Sequence, residues 1–278
     1  MRLRVIGLPT CPSRTGNRIR RDGESKKQRT KLRKASGEYA TGKFLGELKE
    51  RFVEKGYDKV GLIPVPAEDS DQDPRIIEVH YPYITKHPDY VHPRVQIEIG
   101  CRSLIEPYSV RKFGSLVDEI YSDQGFASPF ISIPTVHAER TFLEKLFLLH
   151  EEFSRPVEKI RVDRLNRHMY DVYHLSRNGD ILTAIEDKDL YETIVSHRHK
   201  YAKIGGVDYN LHNPKTLNPT PHPDFVKAWE EDYNKMRSQM IYEAKPPSFQ
   251  DLVSNIEHLK EKLATVSWEF ALEFETKL

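Results

Sequence analysis

Apolar residues recur at helical spacing through the second part of the chain. Spacings of three and four residues predict one amphipathic helix through Phe142, Leu146, Leu149 and Phe153. A second helix through Leu165, Met169 and Val172 is expected to stop at Asn178 and Gly179, where a turn signal follows. Further helices are predicted over 187–201, over 223–242, and from 248 to the C-terminus.

The first part of the chain has a mixed pattern. A helix is predicted from an N-cap at Ser25 to a C-cap at Gly56, with a break near Gly37 and Gly42 because glycine weakens a helix interior. Alternating apolar and polar positions predict strands over 75–81 and 94–100, with weaker strand signals around Val110 and over 130–133. The pattern becomes helical at Pro134. We therefore expect an α+β protein.

Charge separates the N-terminus from the rest. The first 34 residues contain 12 lysines and arginines against two acidic residues, a balance of +10, whereas the remainder of the chain carries −9. Residues 1–24 show no sustained periodicity and are rich in Arg, Gly and Pro. They are interpreted as an irregular basic arm, followed by a partial α/β domain over 25–133 and a helical domain over 134–278. Such an arm is typical either of a solvated tail or of a contact to nucleic acid or nucleotide phosphates.

Two classes of protein are excluded by composition. No apolar run approaches the roughly 18 residues that a membrane span needs, so no membrane partner is expected. Two cysteines, Cys11 and Cys101, are too few for a disulfide framework or a four-thiolate zinc site. We interpret them as free thiols of a cytoplasmic protein.

Two charged residues fall where they could take part in chemistry. Glu98 interrupts an aliphatic strand, and the alternation of side chains directs it away from the face that buries Val95, Ile97 and Ile99. It could offer a fixed carboxylate to a divalent metal, or it could be an ordinary outward-facing strand residue. Lys145 borders the apolar stripe of its helix and could bind triphosphate oxygens or extend to solvent.

A third candidate set lies on the next helix. Arg164, His168 and Asp171 are spaced i, i+4 and i+7, and Arg167 lies four residues before Asp171. This spacing places them on one helix face. These residues could form a ladder of ion pairs on the surface. Alternatively, the cations keep the Asp171 carboxylate ionised, so that it can act as a base or bind a metal.

Several segments together resemble the AbiEii/AbiGii nucleotidyltransferase toxin family, the effector half of bacterial type IV toxin–antitoxin and abortive-infection systems. The resemblance covers about residue 25 to the end of the chain. The matching segments are 77–82 (IEVHYP), 93–100 (PRVQIEIG), 133–136 (IPTV), 140–146 (RTFLEKL), 149–152 (LHEE), 164–172 (RLNRHMYDV), 206–209 (GVDY) and 229–233 (WEEDY).

The resemblance implies a DNA-polymerase-β-like nucleotidyltransferase domain followed by a helical domain. It also implies transfer of a nucleotidyl group from a nucleoside triphosphate to an RNA acceptor such as tRNA, with Mg²⁺ as cofactor and a cognate antitoxin as partner. Carried over by position, Glu98 would be a carboxylate on the metal side, and Lys145 a catalytic lysine that binds phosphate. Asp171 would be the second catalytic residue, and Arg164 and Arg167 would help to bind the nucleotide.

One motif of the family is missing from this sequence. The family opens with Gly-Gly or Gly-Ser-Thr followed about ten residues later by Asp-x-Asp, which supplies the two principal metal ligands. The Asp-x-Asp candidates, among Asp69, Asp71 and Asp73, follow no such glycine motif and lie after the Ser25 helix. We therefore expect an incomplete nucleotidyltransferase domain, through truncation, a wrong start or a shifted frame, with little or no transferase activity. The alternatives are a non-catalytic module that binds nucleotide, RNA or antitoxin, and a damaged gene product without function.

Overall fold

The computed structural model describes residues 2–6, 25–82, 94–101 and 107–275. The chain divides into two compact units, residues 1–105 and 106–278. The prediction placed the change from α/β to helical structure at residue 134, which lies inside a strand of the second unit. The difference arises because the strand around Val110 pairs with the strand around Pro134, so both belong to the same unit.

The first unit is a four-stranded sheet with helices against one face. Its elements are β1 (Arg2–Ile6), α1 (Lys26–Tyr39), α2 (Leu45–Glu54), β2 (Gly61–Pro64), β3 (Arg75–His80) and β4 (Arg94–Gly100). The strand order is β1-β4-β3-β2, with β1 parallel to β4 and the other neighbours antiparallel. A π-helical turn, Ala40–Phe44, joins α1 to α2, where the glycines predicted a break.

The core of the first unit lies between the sheet and the helices. Buried Ala40 and Leu45 meet aliphatic side chains of β2, β3 and β4, among them Leu62, Ile77 and Ile97. The chain enters α1 through a capping box in which Ser25 Oγ accepts the backbone N–H of Gln28 and the Gln28 side chain accepts that of Ser25. The predicted N-cap is thus confirmed.

The structure of the first unit differs from the sequence analysis at three places. Residues 2–6 are not part of an irregular arm, since they form β1 beside β4, and residues 7–24 lie outside the described residues. Strand β2 was not predicted, because four residues are too few to show a period. Glu98 faces away from the aliphatic core as expected, yet it is only 6% exposed, so it is not an outward-facing surface residue.

The second unit begins with a hairpin and continues in helices. Its elements are β5 (Tyr108–Phe113), α3 (Leu116–Ile120), β6 (Ile131–Val136), α4 (Ala138–Phe153), α5 (Asn166–Ser176), α6 (Gly179–Leu182), α7 (Lys188–Tyr201), α8 (Val226–Met240) and α9 (Phe249–Ala264). Strands β5 and β6 form a separate two-stranded sheet. The helices predicted around Phe142, Met169, Asp187 and Trp229 are confirmed, whereas the last helix stops at Ala264 rather than at the C-terminus.

Helix α4 occupies the centre of the second unit. It contacts α5 and α7, while α5 also contacts α8 and α9. Phe142, Leu146 and Leu149 on α4 are fully buried, as are Met169 and Val172 on α5. The packing therefore fixes the two helices that carry Lys145 and Asp171. Across the described part of the chain, no helix is both long and apolar enough to cross a membrane.

Candidate functional site

Lys145 on α4 and Asp171 on α5 form an ion pair. Lys145 Nζ donates to Asp171 Oδ2 at 2.5 Å, and the two side chains are 23% and 38% exposed. The lysine therefore neither extends freely into solvent nor lies fully buried. Two of the residues selected in the sequence are brought together at a partly open position between two well-packed helices.

Arg164 precedes α5 in a backbone conformation that is rare for its residue type. It is the one residue other than glycine with a positive φ (58°) in the described ranges. Such a conformation costs about 1–2 kcal/mol for a residue with a Cβ. The backbone N–H of Arg164 donates to Asp232 Oδ1 on α8 at 3.2 Å, which holds the residue there. Strained conformations of this kind occur often at ligand-binding sites, where the surrounding structure holds them in place.

The same aspartate anchors the start of α5. Asn166 Nδ2 donates to Asp232 Oδ2 at 2.9 Å and to the Trp229 carbonyl at 2.8 Å. Asp232 was not selected as a site residue in the sequence. A signal was present, because an aspartate at this position interrupts the buried stripe of Trp229, Tyr233 and Met236 on α8.

Arg167 and His168 lie in the first turn of α5 and are half-buried. Arg167 precedes Asp171 by one helical turn, on the face that carries the ion pair to Lys145. Arg164 lies outside the helix rather than within a continuous ladder, since α5 begins at Asn166. The arginines thus come from the turn before the helix and from its first turn, where the positive end of the helix dipole also favours an anion.

A buried ion-pair network fixes the C-terminal half of α4. Arg198 on α7 donates from Nε to Glu151 Oε1 at 2.7 Å and from Nη2 to Glu151 Oε2, and His212 Nε2 lies 3.4 Å from Glu151 Oε1. Although burial alone would raise it, the pKa of Glu151 is lowered to about 2 by Arg198 and His212. Glu151 and His212 are completely buried, so this pairing connects α4 rigidly to α7.

The neighbouring residues extend this network. His150 Nδ1 accepts the backbone N–H of Asn218 at 3.0 Å, and burial, with His212 nearby, lowers the pKa of His150 to about 3. Glu152 accepts Arg161 Nη2 at 2.6 Å and the Arg161 backbone N–H at 2.8 Å. The segment 149–152 contributed to the family resemblance, but the partners of Glu151 and His150 could not be predicted, because Arg198 and Asn218 lie 47 and 68 residues further along the chain.

Glu98 belongs to the first unit. It lies on β4, where its register partners are Ile76 on β3 and Arg4 on β1. Its role as a carboxylate on the metal side, which the family resemblance implies, stays a prediction.

The acidic loop before β3 has a structural role. Asp73 is buried, and its Oδ1 accepts the backbone N–H of Cys101 at 3.0 Å, so it fastens the loop to the end of β4. Asp71 is 3.7 Å from Arg33 and also accepts the Thr30 hydroxyl at 3.4 Å. Asp73 therefore serves the packing of the first unit.

A Mg²⁺ site requires several ligand side chains close together. Among residues 2–6, 25–82, 94–101 and 107–275, no three His, Cys, Asp or Glu side chains are placed to hold a metal ion. Glu98 is a single carboxylate, and one oxygen of Asp171 is engaged by an ammonium group. These donors do not make a complete Mg²⁺ site, so no reaction step is assigned to a metal.

Comparison with protein families decides the class of the protein. The family model described as "Nucleotidyl transferase AbiEii toxin, Type IV TA system" matches residues 20–255. The chain belongs to this family. The AbiEii match spans both units and includes Glu98, Lys145, Arg164, Arg167 and Asp171. Comparison with curated proteins and with solved structures gave no match. The resemblance of the sequence to the AbiEii toxins is thus confirmed.

Proposed function

We propose that the second unit binds the triphosphate of a nucleoside triphosphate through Lys145, Arg164 and Arg167. The reaction class would be nucleotidyl transfer to RNA, with tRNA as acceptor, in the cytoplasm, where a cognate antitoxin counteracts it. The observation that carries this proposal is the ion pair between Lys145 and Asp171, which unites two residues of the family's motifs at a partly open position.

The ion pair suits an ammonium group that must hold a phosphate. A lysine ammonium has three donors, so Lys145 can keep one on Asp171 and present the other two to phosphate oxygens. Asp171 then orients the ammonium and need not be displaced when the anion arrives. Arg164 and Arg167 would add planar guanidinium groups, which pair with phosphate oxygens two at a time.

Glu98 is proposed as a carboxylate on the metal side of the same reaction. When bound, Mg²⁺ would neutralise charge on the phosphates. The sequence contains no Gly-Ser or Gly-Gly motif followed by Asp-x-Asp, and the described residues place no three metal-binding side chains together. We therefore expect this chain to bind nucleotide with little or no transfer.

Equilibrium binding of labelled ATP, GTP, CTP and UTP tests the proposed nucleotide site. Lys145→Ala should weaken binding about tenfold or more, because it removes a charge-assisted contact worth about 1.5–3 kcal/mol. Lys188→Ala is the matched control, since Lys188 forms an ordinary i,i+4 ion pair with Glu192 on α7, 3.9 Å away. Failure of all four nucleotides to bind, or equal binding by the Lys145 and Lys188 variants, would remove the proposal.

Transfer is measured separately, with tRNA, Mg²⁺ and nucleotides labelled at the α-phosphate. Little or no label in the RNA is expected. Robust labelling that disappears in Lys145→Ala would contradict the expected low activity while supporting the site. Robust labelling that persists in Lys145→Ala would show that Lys145 is not part of the site of transfer.

A second candidate function is favoured by the exposed face of α1. Lys26, Lys27, Lys31 and Lys34 are exposed on this helix, and no acidic residue occurs between Ser25 and Gly37. A face of this kind suits the phosphates of RNA without any catalysis. The chain would then be a binding module.

Salt dependence of RNA binding distinguishes the second candidate. Reversing Lys27 and Lys31 to Glu should weaken RNA binding and flatten its dependence on salt, because fewer phosphates are neutralised. The control reverses Lys235 and Lys245, which are exposed on the other unit. Binding that is absent or independent of salt would exclude this function.

A further inference from the structure

The hairpin and short helix at the start of the second unit expose an unusual amount of apolar surface. Ten large apolar side chains are exposed between residues 108 and 131: Tyr108, Val110, Phe113, Leu116, Val117, Ile120, Tyr121, Phe126, Phe130 and Ile131. Val110 is 64% exposed and Leu116 is 75% exposed. Exposed apolar surface in this quantity is typical of an interface with another macromolecule.

The outer edge of β5 offers backbone groups for pairing. Because the backbone N–H of His137 donates to the Pro107 carbonyl at 3.1 Å, odd-numbered residues of β5 bond to β6 and even-numbered ones point away from it. The N–H and C=O groups of Tyr108, Val110 and Lys112 therefore line the outer edge. In the described ranges no third strand joins this sheet.

The opposite edge of the hairpin is blocked. Pro134 pairs with Val110, so its nitrogen points to the outer edge of β6, where it offers no donor. A proline is one of the devices that protect an edge strand from pairing with another chain. The hairpin thus has one protected edge and one edge ready for pairing.

We propose that β5 pairs with β5 of a second copy of this chain, antiparallel across a two-fold axis at Val110. The two hairpins then form one four-stranded sheet. In this register Val110 faces Val110, Tyr108 faces Lys112 of the second copy, and Ser109 faces Arg111 of the second copy. Lys112 would lie near an aromatic ring and no like charges would be opposite each other. Registers centred on Arg111 or Lys112 would place identical cations together.

The exposed side chains set an upper limit on the surface that such a dimer can bury. Ten side chains that are 43–75% exposed, at roughly 100 Å² each, give at most about 1,000 Å² per chain, against about 800 Å² per partner in a standard interface. Identical strands pair naturally around a two-fold axis, and the assembly then closes without a further free edge on β5. A second copy is therefore the occupant that the strand edge and its charges fit.

Sedimentation of the full chain at micromolar concentrations tests this dimer. The unmodified chain should sediment as a dimer. Val110→Lys should raise the dissociation constant by about tenfold or more, because it sets two like charges directly opposite each other. Val53→Lys is the matched control, because Val53 is 63% exposed on α2 of the first unit, and it should leave the dissociation constant unchanged.

A second variant distinguishes loss of the dimer from loss of the fold. Val110→Pro removes the central N–H of the free edge without removing a bond to β6, and it should also yield the monomer while the thermal unfolding of the second unit persists. A monomeric unmodified chain, a dimer unaffected by either Val110 variant, open-ended aggregates, or equal weakening by Val53→Lys would each overturn the proposal.

Discussion

Glu151 shows the energetic consequence of a buried charge that has a partner of opposite sign. Its carboxylate is fully buried and bound by both nitrogens of one edge of Arg198. Such a pair need not add much stability compared with an apolar pair, but removing one partner leaves the other charge alone in a medium of low dielectric constant. The pair therefore specifies how α7 meets α4.

Glu151→Gln should lower the free energy of unfolding by about 3–5 kcal/mol, because Arg198 keeps its charge without a counter-ion. Urea unfolding followed by tryptophan fluorescence measures the change. Glu261→Gln is the matched control, since Glu261 is 80% exposed and 3.7 Å from His258, and it should change stability by less than about 0.5 kcal/mol. Similar effects for both variants would contradict the importance of the buried pair.

His150 should make the second unit sensitive to mild acid. Its pKa is about 3 in the folded protein and 6.5 ordinarily, so between these values the unfolded chain binds the proton and the folded chain does not. Stability is then complete above pH 6.5 and is lost as the pH falls. Between pH 7.5 and 5 the unmodified chain should lose about 2 kcal/mol more than His150→Gln.

The comparison is specific to His150 at pH 5 because Glu151 does not yet contribute. The pKa of Glu151 is lowered from 4.5 to about 2, so its share of the stability is lost only below pH 4.5. Urea unfolding at the two pH values measures both chains. An equal loss of unfolding free energy in the unmodified chain and in His150→Gln would show that His150 is protonated in the folded protein at pH 5.

The helices of this fold follow from local sequence far better than its strands do. The stripes through Phe142 and Met169 predicted α4 and α5 because each has several turns over which to show a period. Strand β2 has four residues, and β1 is stabilised by pairing with β4 across about 90 intervening residues. Pairing at this distance leaves no mark on the local pattern, which is why residues 2–6 were predicted to be irregular.

The same reasoning explains which contacts of the candidate residues could be anticipated. Lys145 and Asp171 stand in recognisable family segments, and the structure joins them. Asp232 and Arg198 act through contacts to Arg164 and Glu151 that lie 68 and 47 residues away in sequence. Nothing in the spacing of either residue indicates those partners.

Helix α2 offers a matched pair of glycines. Gly56, after its end, has a φ of +78°, whereas Gly46 lies inside the helix with open space where a Cβ would lie. Gly56→Ala should cost about 1 kcal/mol because alanine is strained in the left-handed region. Gly46→Ala should add about 0.5–1 kcal/mol because alanine is the better helix former.

Far-ultraviolet circular dichroism during urea unfolding measures both glycine variants. Opposite signs are the expected result. A stabilising Gly56→Ala would show that the backbone there relaxes out of the left-handed region.

The two units have separate cores, so the second should fold alone. Its buried residues run from Phe142 to Val266, and α4, α5, α8 and α9 supply one another's apolar contacts. A fragment of residues 106–278 should unfold cooperatively on heating, and Leu146→Ala should destabilise it by about 2–5 kcal/mol through the cavity it leaves. Differential scanning calorimetry of the fragment with and without Leu146→Ala measures the unfolding transition and its change. A fragment without a cooperative transition would contradict an independent core.

Both tryptophans of the chain, Trp229 and Trp268, lie in the same unit. Trp229 is fully buried against Phe153, and the indole N–H of Trp268 donates to the Ile185 carbonyl. Indole emission therefore reports on the unfolding of residues 106–278, where both rings lie. Emission and circular dichroism recorded on one sample would separate the two transitions without any label.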